Sequence, residues 1–322
     1  MEAYQLPDNF YTLLCEKYQV AKQSGEVQFK GESAEHEVIF DSSCSKEEER
    51  FPFQLTLLKS LAQRPVKGTV DADPFANEEP ELTILSKYGL DDLLRIVFNK
   101  FPVVDRHFMA VTREFESQNS PLNPSELLAM YFILKDLKLK GPNEKWFSFY
   151  NCGQASGMLQ PHKHFQFMTL PNDKDFEPIP EVILKLDVDS DRPPSIARDE
   201  PLQHPKVPFA HYIVKVPETI TNEDQLGALF VHLLTRTITD LRDASCEAIA
   251  YNFIMTTEYM MMVPRVVNNV DGLGLNSCAY MSLLLCKNEE LVSLVKDKLP
   301  MALLAQAGLP NTYGIKRDDS HY

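Results

Sequence analysis

Two strand-like segments joined by a glycine-containing turn lie near the middle of the chain. Residues 146–150 are aromatic, and residues 162–170 are aromatic with polar groups at alternate positions at their start. Between them, Gly153 and Gly157 allow the backbone to approach a ligand closely and to direct N–H groups at phosphate oxygens. The arrangement predicts two strands connected by a turn that is able to bind an anion.

The second segment carries the candidate reactive groups. In a strand, side chains two residues apart share a face, and the rise is roughly 3.3 Å per residue. His162, His164 and Gln166 are therefore expected to form one polar row, with Lys163 on the opposite face. One imidazole of this row can attack a tetrahedral anionic group while the amide holds one of its oxygens. The same two histidines are also compatible with half of a metal site, or with ordinary polar groups at a surface.

Length and cysteine spacing restrict the class of protein. A chain of 322 residues can bury a substantial core, as one domain or as two closely packed halves. No apolar run approaches the roughly 20 residues that a membrane-spanning helix needs. Residues 1–5 are not basic and lead into no signal-type apolar region, so we expect no secretion. The six cysteines include no Cys-x-x-Cys pair, which predicts reduced thiols in the cytoplasm or nucleus and argues against structural zinc.

The net charge of −14 restricts the partners. Non-specific nucleic-acid binding needs a basic surface, so we expect no nucleic-acid partner. A few local cations and backbone N–H groups can still bind a polyphosphate inside an acidic protein. The basic turn that contains Arg64 and Lys67 is either such a loop or a pair of solvated surface charges.

Periodicity and capping signals predict the surrounding elements. We expect a helix over residues 7–23, a second that starts with a strong capping sequence at residues 123–126, a third capped by Thr221, and final helices that begin at Asn288. Residues 42–50 are expected to form a loop, and the apolar segment 51–61 to be buried. The predicted strands outside the central pair are residues 81–85, 96–102, 107–112, 207–216, 251–255, 259–263 and 278–285.

The order of these elements predicts the architecture. Residues 171–205 are rich in proline and aspartate without helical periodicity, so we expect a long irregular connection there. The strands and long helix of residues 81–170 recur in weaker form in residues 206–290, which lack the His-x-His pattern. We predict an α+β fold, with a mostly antiparallel sheet and flanking helices, in one domain over residues 1–322. The echo is compatible with a duplicated unit in which one half is active.

Three short patterns surround the central segments: Asn-x-Gly at residues 151–153, Ala-x-Gly at 155–157 and Pro-His-x-His-x-Gln at 161–166. Together they resemble the galactose-1-phosphate uridylyltransferase branch of the histidine-triad superfamily. Within that branch the chain is similar to the fungal diadenosine tetraphosphate phosphorylases, also called ATP adenylyltransferases. The likeness covers most of the chain and includes Asn-Lys-Phe-Pro-Val at 99–103 and Leu-Asn-Ser at 275–277. It implies a histidine-triad-like fold.

The resemblance also implies roles for the matching residues. His164, the middle position of the motif, would be the nucleophile, and Gln166 would bind the phosphate under attack. Asn151 and residues 157–160 would hold nucleotide phosphates, and residues 99–100 would contact the nucleotide. The predicted substrate-binding residues are Arg64, Asn99, Lys100, Asn151, Gly157, Met158, Leu159, Gln160, Gln166, Asn276, Ser277, Cys278, Leu283 and Lys287.

The implied reaction is a two-step nucleotidyl transfer. His164 attacks an α-phosphorus of diadenosine tetraphosphate, ATP leaves, and inorganic phosphate then releases ADP from the adenylylated histidine. Three residues depart from the family pattern, because Arg64, Leu159 and Leu283 stand where lysine, serine and methionine are usual. Neither the nucleophile nor Gln166 departs from it.

Composition and resemblance together predict the partners. We expect small-molecule substrates (dinucleoside polyphosphates, ATP, ADP and phosphate), no nucleic acid, no membrane, and a monomer in the cytoplasm, with the nucleus as a second location. A divalent cation such as Mg²⁺ is expected with the polyphosphate, without a protein metal site and without an organic cofactor. Three rival hypotheses remain: a hexose-1-phosphate uridylyltransferase, a nucleotide sensor without chemistry, and a metal hydrolase that uses His162 and His164.

Overall fold

The computed structural model describes residues 2–29, 31–41, 50–59, 73–188 and 201–315, in which the chain forms seven α-helices and thirteen strands. The helices are α1 (Phe10–Gln23), α2 (Pro124–Lys140), α3 (Ile179–Val188), α4 (Glu223–Asp243), α5 (Ser277–Tyr280), α6 (Glu289–Lys298) and α7 (Pro300–Ala307). The strands are β1 (Glu35–Phe40), β2 (Pro52–Leu57), β3 (Thr83–Tyr88), β4 (Leu94–Phe98), β5 (Phe108–Thr112), β6 (Trp146–Cys152), β7 (His164–Thr169), β8 (Tyr212–Lys215), β9 (Tyr251–Met255), β10 (Tyr259–Pro264), β11 (Asn269–Val270), β12 (Leu273–Gly274) and β13 (Leu283–Cys286).

An eight-stranded antiparallel sheet forms the centre of the fold, in the order β3-β4-β5-β7-β6-β9-β10-β8. A smaller sheet has the order β1-β2-β13, with β1 antiparallel and β13 parallel to β2. The prediction of an α+β fold with a mostly antiparallel sheet and flanking helices is therefore confirmed. None of the helices in the described ranges combines the length and apolar character that crossing a bilayer requires.

The alternation of side chains along the central strands divides the core in two. In β7, Phe165 and Phe167 pack on the face that α1, α2 and α4 cover, whereas Met168 packs on the other face. That second face is covered by the small sheet and by helices α3, α5, α6 and α7. His164 and Gln166 alternate with the two phenylalanines, so their side chains belong to this second face, where the cleft described below lies.

Two parts of the chain share one element order. The series β5, α2, β6, β7 is arranged in the sheet as β5-β7-β6, and the series β8, α4, β9, β10 is arranged as β8-β10-β9. The two series meet where β6 pairs with β9. This arrangement agrees with the echo noted in the sequence, while the duplication itself stays a prediction.

Several predicted elements need correction. Residues 171–205 contain a helix, α3, because Ile179, Val182 and Ile183 give it a buried face despite the neighbouring prolines. Only Tyr212–Lys215 of the predicted strand 207–216 is a strand, since the preceding Ala210 N–H donates to the carbonyl oxygen of Leu309 instead.

Two further corrections concern helix starts. Residues 278–285 begin as helix α5, because the Asn276 side chain accepts a hydrogen bond from the Cys278 N–H and caps a helical turn there. Helix α4 is capped by Asn222 and not by Thr221, through a reciprocal capping box with Gln225. The predictions for residues 42–49, Arg64 and Lys67 fall outside the described residues.

Candidate functional site

A cleft of about 1380 Å³ lies on the second face of the main sheet. Ordinary small-molecule sites measure roughly 300–1,000 Å³, so this cleft can hold a ligand larger than one nucleotide. The predicted site residues that line it are Asn99, Lys100, Asn151, Gly157, Met158, Leu159, Gln160, His164, Gln166, Asn276, Cys278, Leu283 and Lys287. Ser277 is not among the lining residues, and Arg64 lies outside the described part of the chain.

The buried side chain of Gln118 fixes His164 at the start of β7. Its Oε1 accepts a hydrogen bond from the His164 N–H (2.7 Å), and its Nε2 donates to the carbonyl oxygens of His164 and Asn151 (3.0 Å each). The ladder between β6 and β7 extends only as far as Phe149 and Gln166. Gln118 therefore takes the place of the missing backbone pairing at the point where the two strands separate around the turn.

The His164 imidazole is held as a neutral base. Its Nδ1 lies 2.8 Å from the carbonyl oxygen of His162, an acceptor, so Nδ1 carries the proton. Burial, together with the nearby His162, lowers the pKa of His164 to about 4. Nε2 therefore carries the lone pair, and among the described residues it has no hydrogen-bond partner, so it is available to a ligand in the cleft.

His162 departs from the predicted polar row. It precedes β7, its ring is buried, and it does not line the cleft. Its Nδ1 lies 2.9 Å from Oδ2 of Asp73, and its Nε2 lies 2.7 Å from the carbonyl oxygen of Thr112. The Phe75 ring packs beside the His164 ring, with 5.3 Å between the ring centroids. His162 thus positions the backbone carbonyl that orients His164, and both its nitrogens are already engaged.

A series of hydrogen bonds orients the Gln166 amide. The Phe101 N–H donates to Oδ1 of Asn99 (2.9 Å), so Nδ2 of Asn99 donates to Nδ1 of His107 (3.3 Å). Nε2 of His107 then carries the proton and donates to Oε1 of Gln166 (2.9 Å). Because the series starts from a backbone N–H, it fixes the direction of every bond, and the NH₂ group of Gln166 is left for the ligand.

A second set of donors holds the amide oxygen of Asn151, as His107 holds that of Gln166. Its Oδ1 accepts from Nδ2 of Asn252 (2.7 Å) and from both the N–H (3.1 Å) and the hydroxyl (2.7 Å) of Ser277. The Asn151 oxygen is therefore saturated, so its NH₂ group is the part left for a ligand in the cleft that Asn151 lines. Ser277 is fully buried behind Asn151, so it supports the cleft wall and does not form it.

The glycine turn forms the wall beside the two amides. Gly157 has φ of +85°, and a Cβ atom there would lie 2.7 Å from the Leu275 carbonyl oxygen. The turn consequently packs directly on the C-terminal segment that carries Asn276. Met158, Leu159 and Gln160 follow the turn and line the cleft, with Leu159 65% exposed.

Four further predicted residues line the cleft: Lys100, Cys278, Leu283 and Lys287. Lys100 is paired with Glu79, with 2.8 Å between Nζ and Oε2, while Leu283 and Lys287 come from β13 and the residues after it. Burial raises the pKa of Cys278 to about 12, so its thiol is a poor nucleophile near neutral pH. No group of three or more His, Cys, Asp or Glu side chains in the described ranges could hold a metal ion.

Comparison with known proteins identifies the family. Residues 40–185 match the family model "Ap4A phosphorylase N-terminal domain", and residues 205–310 match "ATP adenylyltransferase C-terminal domain". The chain is 32% identical to diadenosine 5',5'''-P1,P4-tetraphosphate phosphorylase 2 of Saccharomyces cerevisiae, over 98% of this chain and 100% of the relative. The chain belongs to the Ap4A phosphorylase family. A second relative from the same yeast, protein APA1, is 29% identical over 98% of this chain and 99% of its own.

Solved structures of the Ap4A phosphorylase family have the same fold. The crystal structure of yeast Ap4A phosphorylase Apa2 in complex with AMP gives a TM-score of 0.82 at 31% identity, covering 97% of this chain and 100% of that one. The structure of Apa2 in complex with Ap4A gives 0.81 at 30% identity, covering 96% and 100%. The resemblance inferred from the central motif is therefore confirmed.

Four supporting residues of this Ap4A phosphorylase family member were not predicted from sequence. Gln118 and Asp73 lie in loops, where no pattern in a single sequence distinguishes them. His107 and Asn252 had a usable signal, because each is polar at or within an otherwise apolar, buried strand. A buried polar group in such a place must find a partner, which predicts a hydrogen-bond network behind the site.

Proposed function

We propose that the chain catalyses phosphorolysis of diadenosine tetraphosphate to ADP and ATP, and the reverse synthesis, through a covalent adenylyl-His164 intermediate. The observation that carries the proposal is the state of His164: a neutral imidazole, anchored at Nδ1, whose Nε2 opens into a large cleft between oriented amide donors. Family membership supports the same activity.

In the first step, the Nε2 lone pair of His164 attacks the α-phosphorus, and the bond between that phosphorus and the bridging oxygen breaks. ATP leaves with the bonding electrons, and the adenylyl group remains on Nε2. The imidazole becomes positively charged, and the His162 carbonyl oxygen, which accepts a hydrogen bond from its Nδ1–H group, stabilises that charge. The NH₂ groups of Gln166 and Asn151 are placed to donate to the non-bridging oxygens as their charge develops.

In the second step, an oxygen of inorganic phosphate attacks the same phosphorus, the bond from Nε2 to phosphorus breaks, and ADP forms. Phosphate already carries its negative charge and needs little base assistance, whereas water does. An amide has no titration near neutral pH, so Gln166 cannot take a proton from water. We infer that the adenylyl-histidine survives water until phosphate arrives.

We also propose the conditions under which this chemistry occurs. A divalent cation such as Mg²⁺ would be held by the polyphosphate oxygens and would neutralise part of their charge, since no metal-binding cluster occurs in the described ranges. A monomer is proposed because one chain supplies both walls of the cleft. The cytoplasm, with the nucleus as a second location, is proposed because the described cysteines are free thiols.

Product analysis tests the proposal directly. The wild type should convert diadenosine tetraphosphate to ADP and ATP with phosphate present, and should release very little AMP without it. His164→Ala should fold normally, lose the activity, and fail to retain the acid-labile adenylate that the wild type accumulates without phosphate. Steady AMP release without phosphate, or a label mapped to another residue, would contradict the mechanism.

Gln166→His is the matched variant for the role of the amide. An imidazole can exchange a proton near neutral pH, so this variant should raise the ratio of AMP to ADP at a reduced total rate. An unchanged ratio would show that the amide does not protect the intermediate.

A further inference from the structure

Arg265 is a fully buried cation that has no carboxylate partner among the described residues. It directly follows β10, and its exposed fraction is 1%. Its hydrogen-bond acceptors are all uncharged oxygens: the carbonyls of Ala307 (3.1 Å from Nε), Val267 (2.6 Å from Nη2) and Leu275 (3.1 Å from Nη2), and Oδ1 of Asn252, which faces Nη1. The Tyr280 ring lies 5.1 Å from the guanidinium carbon.

Burying this charge without a carboxylate partner lowers the stability of the fold, so stability alone does not explain the arrangement. Removing a charge from water is unfavourable, and buried charges are therefore usually paired with an opposite charge. Burial lowers the pKa of Arg265, yet a guanidinium stays protonated near neutral pH. Within the described part of the chain, Arg265 is thus a buried positive charge without a neutralising carboxylate.

The guanidinium is connected to the phosphate-binding wall by two routes. Through Asn252 it reaches Asn151, because the Asn252 amide accepts from Arg265 and donates to Oδ1 of Asn151. Through the Leu275 carbonyl it holds the segment that continues into Asn276, and Gly157 packs on that same carbonyl. Both routes end at groups that line the cleft.

We propose that Arg265 is a positioning residue of the polyphosphate site. It fixes the Asn151 amide and residues 275–277. Its charge, which no carboxylate of the described residues compensates, is available to phosphate oxygens on the other side of this wall. The inference rests on the proposed function and deepens it, because it assigns an electrostatic source for polyanion binding in a chain with a net charge of −14. In a medium of low dielectric, such a charge acts through one layer of hydrogen-bonded amides.

Asn252→Asp is the decisive variant because it preserves side-chain size. The new carboxylate would pair with Arg265 and neutralise its charge, and the substitution would remove one of the three donors that orient Asn151. All measurements are made in a His164→Ala background so that no reaction occurs. Binding of adenosine, AMP and ATP is measured by titration calorimetry, and folding by thermal unfolding. The matched control is Asn143→Asp, which adds the same charge at an exposed position outside the cleft.

We expect the loss of affinity in Asn252→Asp to grow with the number of phosphates, reaching at least about tenfold for ATP, because hydrogen bonds to charged groups contribute on this scale. Adenosine affinity should stay within about twofold of the unmutated background, since the nucleoside needs no anion site. ATP affinity equal to that of the control, or equal losses for adenosine and ATP, would overturn the inference. Failure of the background protein itself to bind ATP would instead overturn the proposed function, and the inference with it.

Discussion

His211, which directly precedes β8, forms the same hydrogen bond as the one that fixes His164. Nδ1 of His211 lies 2.8 Å from the Phe209 carbonyl oxygen, and Nδ1 of His164 lies 2.8 Å from that of His162. The two rings differ at Nε2, because that of His211 accepts the N–H of His204 at 2.9 Å. Two buried histidines of the same tautomer thus differ in the one nitrogen that can react, and only that of His164 opens into the cleft.

Both histidines should make the protein less stable in acid. Burial lowers the pKa of each to about 4. In the unfolded chain each histidine has a pKa of about 6.5 and binds its proton below that pH. The stability that the neutral histidines contribute is therefore complete above about pH 6.5 and is lost as the pH falls toward 4. His211→Gln should therefore lose about 2 kcal/mol less stability than the wild type between about pH 7 and pH 4.5, measured by urea denaturation. Equal losses in the two proteins would show that His211 already binds its proton in the folded state.

Removing His107 should impair catalysis without unfolding the protein. In His107→Leu the Gln166 amide loses the donor that holds its oxygen, and it can then present the oxygen to phosphate. We expect kcat/KM for diadenosine tetraphosphate to fall on the order of 100-fold, as for the loss of one oriented donor at a reacting group.

His107→Gln is the matched control for this prediction, because its NH₂ group can donate to Gln166 in place of the imidazole. It should recover part of the rate, while thermal unfolding should place both variants close to the wild type. If His107→Leu and His107→Gln were equally impaired, His107 would act through packing alone.

Gly157→Ala should damage both stability and activity, because the new methyl group would meet the Leu275 carbonyl oxygen and the residue would keep a positive φ. Gly25→Ala separates these effects, since Gly25 has φ of +82° with nothing within 4 Å of the added Cβ. Gly25→Ala should cost about 1 kcal/mol and leave activity intact, whereas Gly157→Ala should cost more and reduce activity. Denaturation midpoints and initial rates measure both. Equal costs would mean that the contact with Leu275 relaxes freely.

The Lys163 ammonium forms a buried ion pair with Glu126, 2.8 Å from its Oε2, and so joins the residue before His164 to the first turn of α2. Burial raises the pKa of Glu126, and Lys163 opposes that shift. Lys163→Met would leave this carboxylate without its cation and should destabilise the protein by about 3–5 kcal/mol. The double variant with Glu126→Gln should recover part of the loss in chemical denaturation. No recovery would indicate that the aliphatic part of Lys163, and not its charge, carries the effect.

The sequence predicted those parts of the fold and site that depend on local patterns. Strands β6, β7, β9 and β10 and the capping box of α2 follow from periodicity and cap chemistry, and they occur as predicted within two residues. The position of His164 and Gln166 on one face follows from strand geometry alone.

What the sequence could not provide depends on long-range contacts. His162 leaves the predicted row because Asp73, distant in sequence, binds its ring. The orientations of the Gln166 and Asn151 amides are set by His107 and Ser277, which only the folded chain brings near them. Strand and helix starts near residues 207 and 278 were wrong for the same reason, since tertiary partners compete there with local preference.

Because β6 pairs with β9, we expect that the two regions that match the family models, residues 40–185 and 205–310, do not fold separately. Five residue pairs, from Ser148–Met255 to Cys152–Tyr251, join them in the middle of the sheet, and every residue of both strands is buried. If either region were expressed alone, it would present a long, apolar strand edge, which is a template for pairing with other chains. Each fragment alone should therefore aggregate, while co-expression of the two should give a soluble complex that restores the cleft. The two regions that match separate family models are thus joined within one continuous sheet.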